Sequence, residues 1–223
     1  MKNFIRRRAH VRAQVNVLIA CEESQRECIA FRNRGFNAFS CDTQVCSGKH
    51  PEWHIHGDVS PYLCGQVDFV TQDGREHHVT AWHLIVAHPP CTYLCKVSSV
   101  HMVIDGRVQW ARLASMIRAR RFFMKCFNAT APFVAVEKPL PMARAQLPKP
   151  DCYVHPSWFG VKYTKKTLYW LRNLPPLMAA IDYPDARCFV TASRGKDRSR
   201  TFTQLAEAIA LQWGDYVDQH LDL

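Results

Sequence analysis

The sequence predicts a mixed α/β fold, a mostly parallel sheet with helices on both faces, and three observations predict it. Short apolar runs alternate with longer segments of helical period, the rhythm of repeated strand–helix units. The 223 residues are 48% hydrophobic and 22% charged, enough for one substantial core and too few for two comfortable ones. Polar groups recur just past the ends of the apolar runs, where open parallel sheets collect their reactive groups.

Taken in order, residues 1–14 form a basic arm. Met1 to Arg12 holds Lys2, Arg6, Arg7, Arg8 and Arg12 and no acid, so it reads as a phosphate-contacting arm or a solvated tail. It has no apolar stretch of the kind a secretory signal needs, and the first strand follows too soon to leave much room for a transit peptide. Residues 15–223 read as a single domain. The run 15–20 suits a central strand buried on both faces. A helix continues through Glu27 to Phe31 and is ended by Gly35. A second strand over 36–42 closes on Asp42. A third is expected near 67–70, after Asp58, and a fourth over 82–87, leading into His88-Pro89-Pro90-Cys91. A long helix over about 108–128 puts Leu113, Met116, Ile117, Phe122 and Phe123 on its inner side. The strand 133–136 runs into Glu137-Lys138-Pro139. Residues 140–153, rich in proline and basic residues, read as an irregular excursion. A late strand over 166–171 precedes a final amphipathic helix from about 201 to 213, ended by Gly214. There is no internal repeat, and no apolar run approaches the roughly 20 residues that span a bilayer.

A formal charge of +10 favours a polyanionic partner, most simply nucleic acid. Ten cysteines without a Cys-x-x-Cys pair read as small buried hydrophobes in a reducing, cytoplasmic setting. Cys41, Cys46, His50, His54 and His56 lie close together, but their spacing matches no standard zinc pattern, and the expectation is a variable surface loop with no metal. His77, His78 and His88 read as exposed or structural.

Four polar groups fall at predicted strand exits: Asp42, Asp58, Cys91 and Glu137. A structural cysteine belongs within an element, whereas Cys91 follows two prolines that fix the backbone and present the thiol in a loop. Glu137 follows four apolar residues, so its charge needs a partner or a function. Burial would raise its pKa and suit it to deliver a proton. A thiolate paired with a proton-donating carboxyl fits covalent addition to an electron-poor ring.

Over roughly residues 15–215 the chain resembles the cytosine-C5 DNA methyltransferases, in the compact form common in bacteriophages. Val17-Leu18-Ile19-Ala20-Cys21-Glu22-Glu23-Ser24 resembles the first cofactor motif, Asp42 the acid at the end of strand two, and Gly57-Asp58-Val59 the acid near the adenine. Pro89-Pro90-Cys91-Thr92-Tyr93-Leu94 resembles the nucleophile motif and Val136-Glu137-Lys138-Pro139 the glutamate motif. Residues 163–171 and 173–177 resemble a late block of the phage subgroup. Ser199-Arg200-Thr201-Phe202, with Ala206 to Ala210, resembles the closing block.

The resemblance implies a class I, S-adenosylmethionine-dependent, Rossmann-like methyltransferase fold. Cys91 and Glu137 would be catalytic, the first attacking C6 of a flipped cytosine and the second contacting N3. Cofactor contacts are implied at Ala20, Cys21, Glu22, Ser24, Asp42, Asp58 and Pro89. Double-stranded DNA is the implied partner, with one base extruded and no obligate protein partner, in the cytoplasm of a bacterial host if the chain is phage-encoded. Lys138 is expected to face a phosphate or to pair with Glu137. Arg194, Lys196, Arg198 and Arg200 form a basic segment expected on the DNA backbone. Two positions depart from the family. Gln25 replaces a glycine, which would place a side chain beside the methionine end of the cofactor, and Lys138 replaces an asparagine. The target-recognition segment, around 140–200, is reduced. Rival readings are an enzyme acting on RNA or installing another C5 group, and a catalytically silent DNA-binding protein with a regulatory or anti-defence role.

Overall fold

The computed structural model describes residues 12–181, 183, 185–189 and 199–221. Seven strands make the central sheet: β1 (Asn16–Ala20), β2 (Asn37–Asp42), β3 (His54–His56), β4 (Leu84–Ala87), β5 (Phe133–Pro139), β6 (Cys152–Val154) and β7 (Thr167–Arg172). Their spatial order is β3-β2-β1-β4-β5-β7-β6. The first five are parallel to their neighbours, and β7 enters antiparallel between β5 and β6. This is the doubly wound Rossmann core, with strand order reversing between β1 and β4, extended by an antiparallel strand. The class I methyltransferase-like expectation therefore holds for the fold.

Three longer helices cover the sheet: α1 (Arg26–Asn33), α2 (Trp110–Phe127) and α3 (Thr203–His220). Strand alternation divides the core into two layers. Leu18, Phe39, Ile85, Val134 and Val136 face α2, packing with its Met116, Phe123 and Cys126. Val17, Ile19, Ala38, Val86 and Ala135 face α1 and α3, meeting Phe31, Leu205, Ile209 and Trp213. Every residue of β1 and β4 is buried, which explains why both read as unbroken apolar runs rather than as alternating ones.

Several sequence expectations are corrected. Asp68–Val70 is a strand, but it pairs with Glu76–His78 in a separate hairpin. The third strand of the sheet is the polar β3, held against β2 where the buried Ser40 hydroxyl meets His54 Nδ1 at 2.9 Å. His54 and Cys41 are thus interior strand residues rather than parts of a surface loop. Glu137 lies within β5 rather than beyond it. Ile117 faces solvent on α2. Gly214 does not end α3. It sits inside the helix because a Cβ there would meet the Phe36 ring at 2.7 Å. Arg172, at the end of β7, donates to the carbonyls of Phe127, Ala129 and Ala131, occupying acceptors that the end of α2 leaves open. No helix among the described residues is long and apolar enough to cross a membrane.

Candidate active site

The carboxyl ends of β1, β4 and β5 meet where the strand order reverses. The register sets Ala87 beside Ala20 on one side and Val136 on the other, so the residues that follow are brought together by the sheet itself. His88 continues from β4, and its N–H donates to the Ala20 carbonyl at 2.8 Å. Pro89 and Pro90 then turn the chain so that Cys91 is exposed. The turn is closed by Leu94 and Cys95, whose N–H groups both donate to the Cys91 carbonyl at 3.0 and 3.1 Å.

Lys138 lies directly beneath this turn. It is 1% exposed, and its Nζ donates to the Pro90 carbonyl at 2.6 Å and to the Pro89 carbonyl. Alternation along β5 places it on the α2 side, opposite Glu137. The expectation that Lys138 faces a phosphate is therefore corrected, because its ammonium is spent on the two proline carbonyls. Although Cys91 is exposed, neighbouring atoms partly desolvate its sulfur and push the thiol up, and the Lys138 charge opposes that push. Burial also holds Lys138 itself below the usual lysine range, with Cys91 and Glu137 pulling the other way.

Glu137 points to the other layer and finds His88. Its Oε2 is 3.4 Å from His88 Nδ1, while His88 Nε2 stands 3.1 Å from Glu27 Oε2 on α1. Burial raises the Glu137 carboxyl, but the His88 hydrogen bond and the charges of Lys165, His88 and Lys138 outweigh it and leave it below the usual carboxylate range. The expected proton-holding glutamate is thus corrected to a carboxylate at rest. Burial works against charge on His88 as well, yet Glu27 and Glu137 hold it well above the ordinary histidine value. The reading of His88 as a bystander missed this. Its partners lie 61 and 49 residues away in sequence, so only the fold reveals the bridge. Beside Glu137 a small open cleft is lined by Lys165, Tyr169, Thr201 and Phe202.

At the end of β1 the chain makes a tight turn with Cys21 and Gln25 both in the left-handed region, φ 63° and 58°. Gln25 costs some backbone strain where a glycine would cost none. Its side chain is fully buried and turned away into the following loop: Nε2 donates to the His50 carbonyl at 2.8 Å, and Oε1 accepts the His50 N–H at 3.1 Å. Gly48 is required opposite it, since a Cβ there would come within 2.6 Å of the Gln25 Cβ. The buried Glu22 carboxylate accepts the N–H groups of Glu27 and Cys28, at 2.7 and 3.2 Å, and so fills the start of α1. Burial and the neighbouring Glu27 push Glu22 up to about 7.

Asp42 closes β2, its Oδ1 accepting the Gln44 N–H at 2.9 Å, and no hydrogen bond among the described residues uses its Oδ2. Asp58 similarly accepts the Ser60 N–H at 2.9 Å. Ala20 and Pro89 are buried in the same edge, with Cys21 and Ser24 half-buried beside them. The fold thus gathers every predicted cofactor position along one edge. Arg194, Lys196 and Arg198 lie outside the described residues. Arg200 is described, and its side chain turns inward to Glu23 and Ser47, both at 3.2 Å, rather than standing out toward a phosphate. Next to it Arg26 donates to the Thr201 carbonyl at 2.6 Å, fastening the closing block over α1.

No protein-family model and no curated protein sequence matches this chain. Among solved structures it is similar to an E. coli prophage-encoded protein described as a DNA modification methyltransferase, with a TM-score of 0.40 and 13% sequence identity. The match covers 70% of this chain and 46% of that one, so the chain spans about half the length of the structure it matches.

Proposed function

We propose that the protein methylates C5 of cytosine in DNA, using S-adenosylmethionine and covalent addition by Cys91. The observation that carries this reading is the pairing of two groups at one switch point. Cys91 is presented on a proline-stiffened turn at the exit of β4, and Glu137 stands on the adjacent parallel strand β5, one residue past the Ala87–Val136 pair. A thiolate that adds to C6 of a pyrimidine needs the electron density arriving at N3 to be met by a proton, and a carboxyl on the neighbouring strand serves that need.

The cofactor edge fits the same reading. In a dinucleotide-binding Rossmann fold the first helix presents free N–H groups to a pyrophosphate. Here the Glu22 carboxylate already accepts two of them, which disfavours a phosphate at that point and suits a cofactor without one. Asp42 would hold the ribose hydroxyls, Asp58 would lie near the adenine, and the main chain around Ala20 to Ser24 with Pro89 would line the methionine end. Gln25 leaves that end open by folding toward His50. When bound, the cofactor supplies an electrophilic methyl group. The chain's own work is to hold the base, deliver the thiolate and manage the N3 proton.

A duplex partner is supported by the surface beside Cys91. Residues 96–125 carry seven Lys and Arg against one acid, Asp105. Lys96, Arg107, Arg118, Arg120, Arg121 and Lys125 are exposed, alongside the exposed side chains of Val97, Val100 and Trp110. Such a mixture suits phosphates flanking a base that has left the stack. The test is incubation with a duplex containing 5-fluorocytosine and S-adenosylmethionine. We expect a covalent protein–DNA complex that withstands denaturation and that Cys91→Ser abolishes. DNA retarded in a gel without any such complex would instead favour a silent binding protein, and a complex formed only with RNA would move the target.

A further inference from the structure

We propose that His88, held by Glu27, stores the proton that Glu137 passes to the base, so that the acid of this site is a three-residue relay rather than a lone glutamate. The inference rests on the cytosine-addition reading for its last step, delivery to N3, but not for the resident charge.

Geometry carries it. Both nitrogens of the His88 ring face carboxylate oxygens, Nδ1 toward Glu137 Oε2 at 3.4 Å and Nε2 toward Glu27 Oε2 at 3.1 Å. A neutral imidazole has one donor and one acceptor, so one nitrogen would oppose its lone pair to a carboxylate oxygen. The doubly protonated ring turns positive charge toward both carboxylates; on the Glu27 side the contact is an ion pair without hydrogen-bond alignment, His88 Nε2 and Glu27 Oε2 having no hydrogen-bond partner among the described residues. The ring is nearly enclosed, with 11% of its side chain exposed and none of Glu27's, so water cannot screen the mismatch.

The groups that bear on His88 come from every element packed around it. Glu27 comes from α1, Glu22 from the turn after β1, and Glu137 from β5 with Lys165 beyond it. Tyr169 comes from β7; its buried hydroxyl has no hydrogen-bond partner among the described residues. Glu27 is itself fixed on its far side, where Oε1 accepts the Thr201 hydroxyl at 3.1 Å. Three carboxyls thus surround one imidazole. At rest Glu137 is ionised and the proton is on His88.

The step then balances. The Cys91 thiolate pair forms the bond to C6, and the C5–C6 π pair shifts to C4–C5. Glu137, ionised at rest, first takes the Nδ1 proton of His88 and then passes it to N3, where the C4–N3 π pair becomes the N3–H bond. His88 is left neutral, with its remaining proton on Nε2 facing Glu27. On elimination the C5–H bond breaks, its proton going to water and its pair re-forming the C5–C6 double bond as the C6–S pair leaves with the Cys91 thiolate; the N3 proton returns through Glu137 to His88. His88 touches neither base nor cofactor in this scheme and is a positioning residue that acts through Glu137.

Two measurements test this, neither needing the methyl donor. In the free protein, nitrogen-15 histidine NMR, assigned by comparison with His88→Gln, should show His88 protonated on both nitrogens at pH 8. Glu27→Gln should bring its midpoint down by at least one pH unit. In the second, loss of tritium from C5 of cytosine in duplex DNA reports reversible addition over pH 6–9. His88→Gln should lower that exchange about tenfold or more at pH 8 and less than threefold at pH 6, and Glu27→Gln should shift the profile the same way by a smaller amount. A His88 that titrates at the ordinary histidine value overturns the proposal, as does a loss of exchange that is equal at every pH. Should His88→Gln fail to fold, Glu27→Gln carries both readouts. If wild-type protein shows no exchange while His88 is charged at pH 8, the cytosine reading fails and delivery to N3 fails with it, with the charged relay standing.

Discussion

A lysine ammonium taken out of water is costly unless its donors are satisfied, and Lys138 meets that demand by bonding the carbonyls of Pro89 and Pro90. Proline has no N–H with which to pin its own turn, so the cation from β5 anchors the loop from below. The same charge opposes the upward push of desolvation on the Cys91 thiol. Replacing Lys138 with methionine keeps much of the apolar stem and removes both effects. We expect the midpoint of Cys91 alkylation by iodoacetamide, followed by mass spectrometry of its peptide, to move to higher pH by about one unit, an interaction of roughly 1.4 kcal/mol. An unchanged alkylation profile would mean the lysine only fills space. At this scale the sequence was a partial guide. Cys91 after two prolines and Glu137 after an apolar run stood out, because each breaks the pattern around it. The roles of Lys138 and His88 did not. Which layer a side chain enters depends on strand register, and adjacent residues of β5 enter opposite layers.

Elements were legible where burial is complete and lost where polar bonds do the holding. The parallel strands β1, β2, β4 and β5 announced themselves through apolar content, because parallel strands covered on both faces can carry little else, and the antiparallel β7, buried over Thr167–Trp170, did so as well. The short β3, His-Ile-His, gave no such signal, since its attachment depends on the Ser40–His54 contact and a single buried isoleucine. Gly214 misled for a related reason: its value lies in contact with Phe36 rather than in chain reversal. The segment from Lys96 to Lys125 is the element whose function is most open to test. Its 3₁₀ turn, hairpin and helix leave Val97 76%, Val100 69% and Trp110 72% exposed within a strongly basic frame, next to the nucleophile turn. Converting Arg118 and Arg121 to glutamine should weaken duplex binding about tenfold at low salt and reduce the slope of log K against log salt by about one to two. The fold should be untouched, because both side chains are exposed. Binding titrations at several salt concentrations decide it. An unchanged slope would place the phosphates elsewhere, with residues 194–198 as the next candidates.

Across the whole molecule, the buried charges couple the site to the stability of the fold, and Glu22 and His88 act with the same sign. Glu22 is raised from 4.5 to about 7 in the folded protein, so between those values the folded state binds more protons than the unfolded one and stability falls as pH rises. The full effect is at most about 3.4 kcal/mol, at about 1.36 kcal/mol per pH unit. His88, raised well above 6.5, contributes stability that is complete below 6.5 and is lost as pH climbs through its folded value. Cys21, Cys28, Cys41 and Cys126 are all raised by burial, and they extend the decline beyond pH 9, where unfolded thiols ionise first. Glu137 opposes this trend, being lowered, but its contribution is lost only as pH falls below about 4.5. Burial lowers His54, His77, His83 and His155, so below about pH 6.5 these four pull the other way and stability gained from them rises with pH; the decline carried by Glu22 and His88 should therefore show most clearly above neutrality. Urea midpoints should fall from pH 7 to pH 9, and the advantage of Glu22→Gln over the wild type should grow between pH 5 and pH 7. The glutamine keeps an acceptor for the start of α1 while removing the charge, so its benefit should grow with pH rather than appear as a constant offset. A Glu22→Gln protein that tracks the wild type throughout would show that Glu22 does not hold a proton at the edge where the cofactor motif begins.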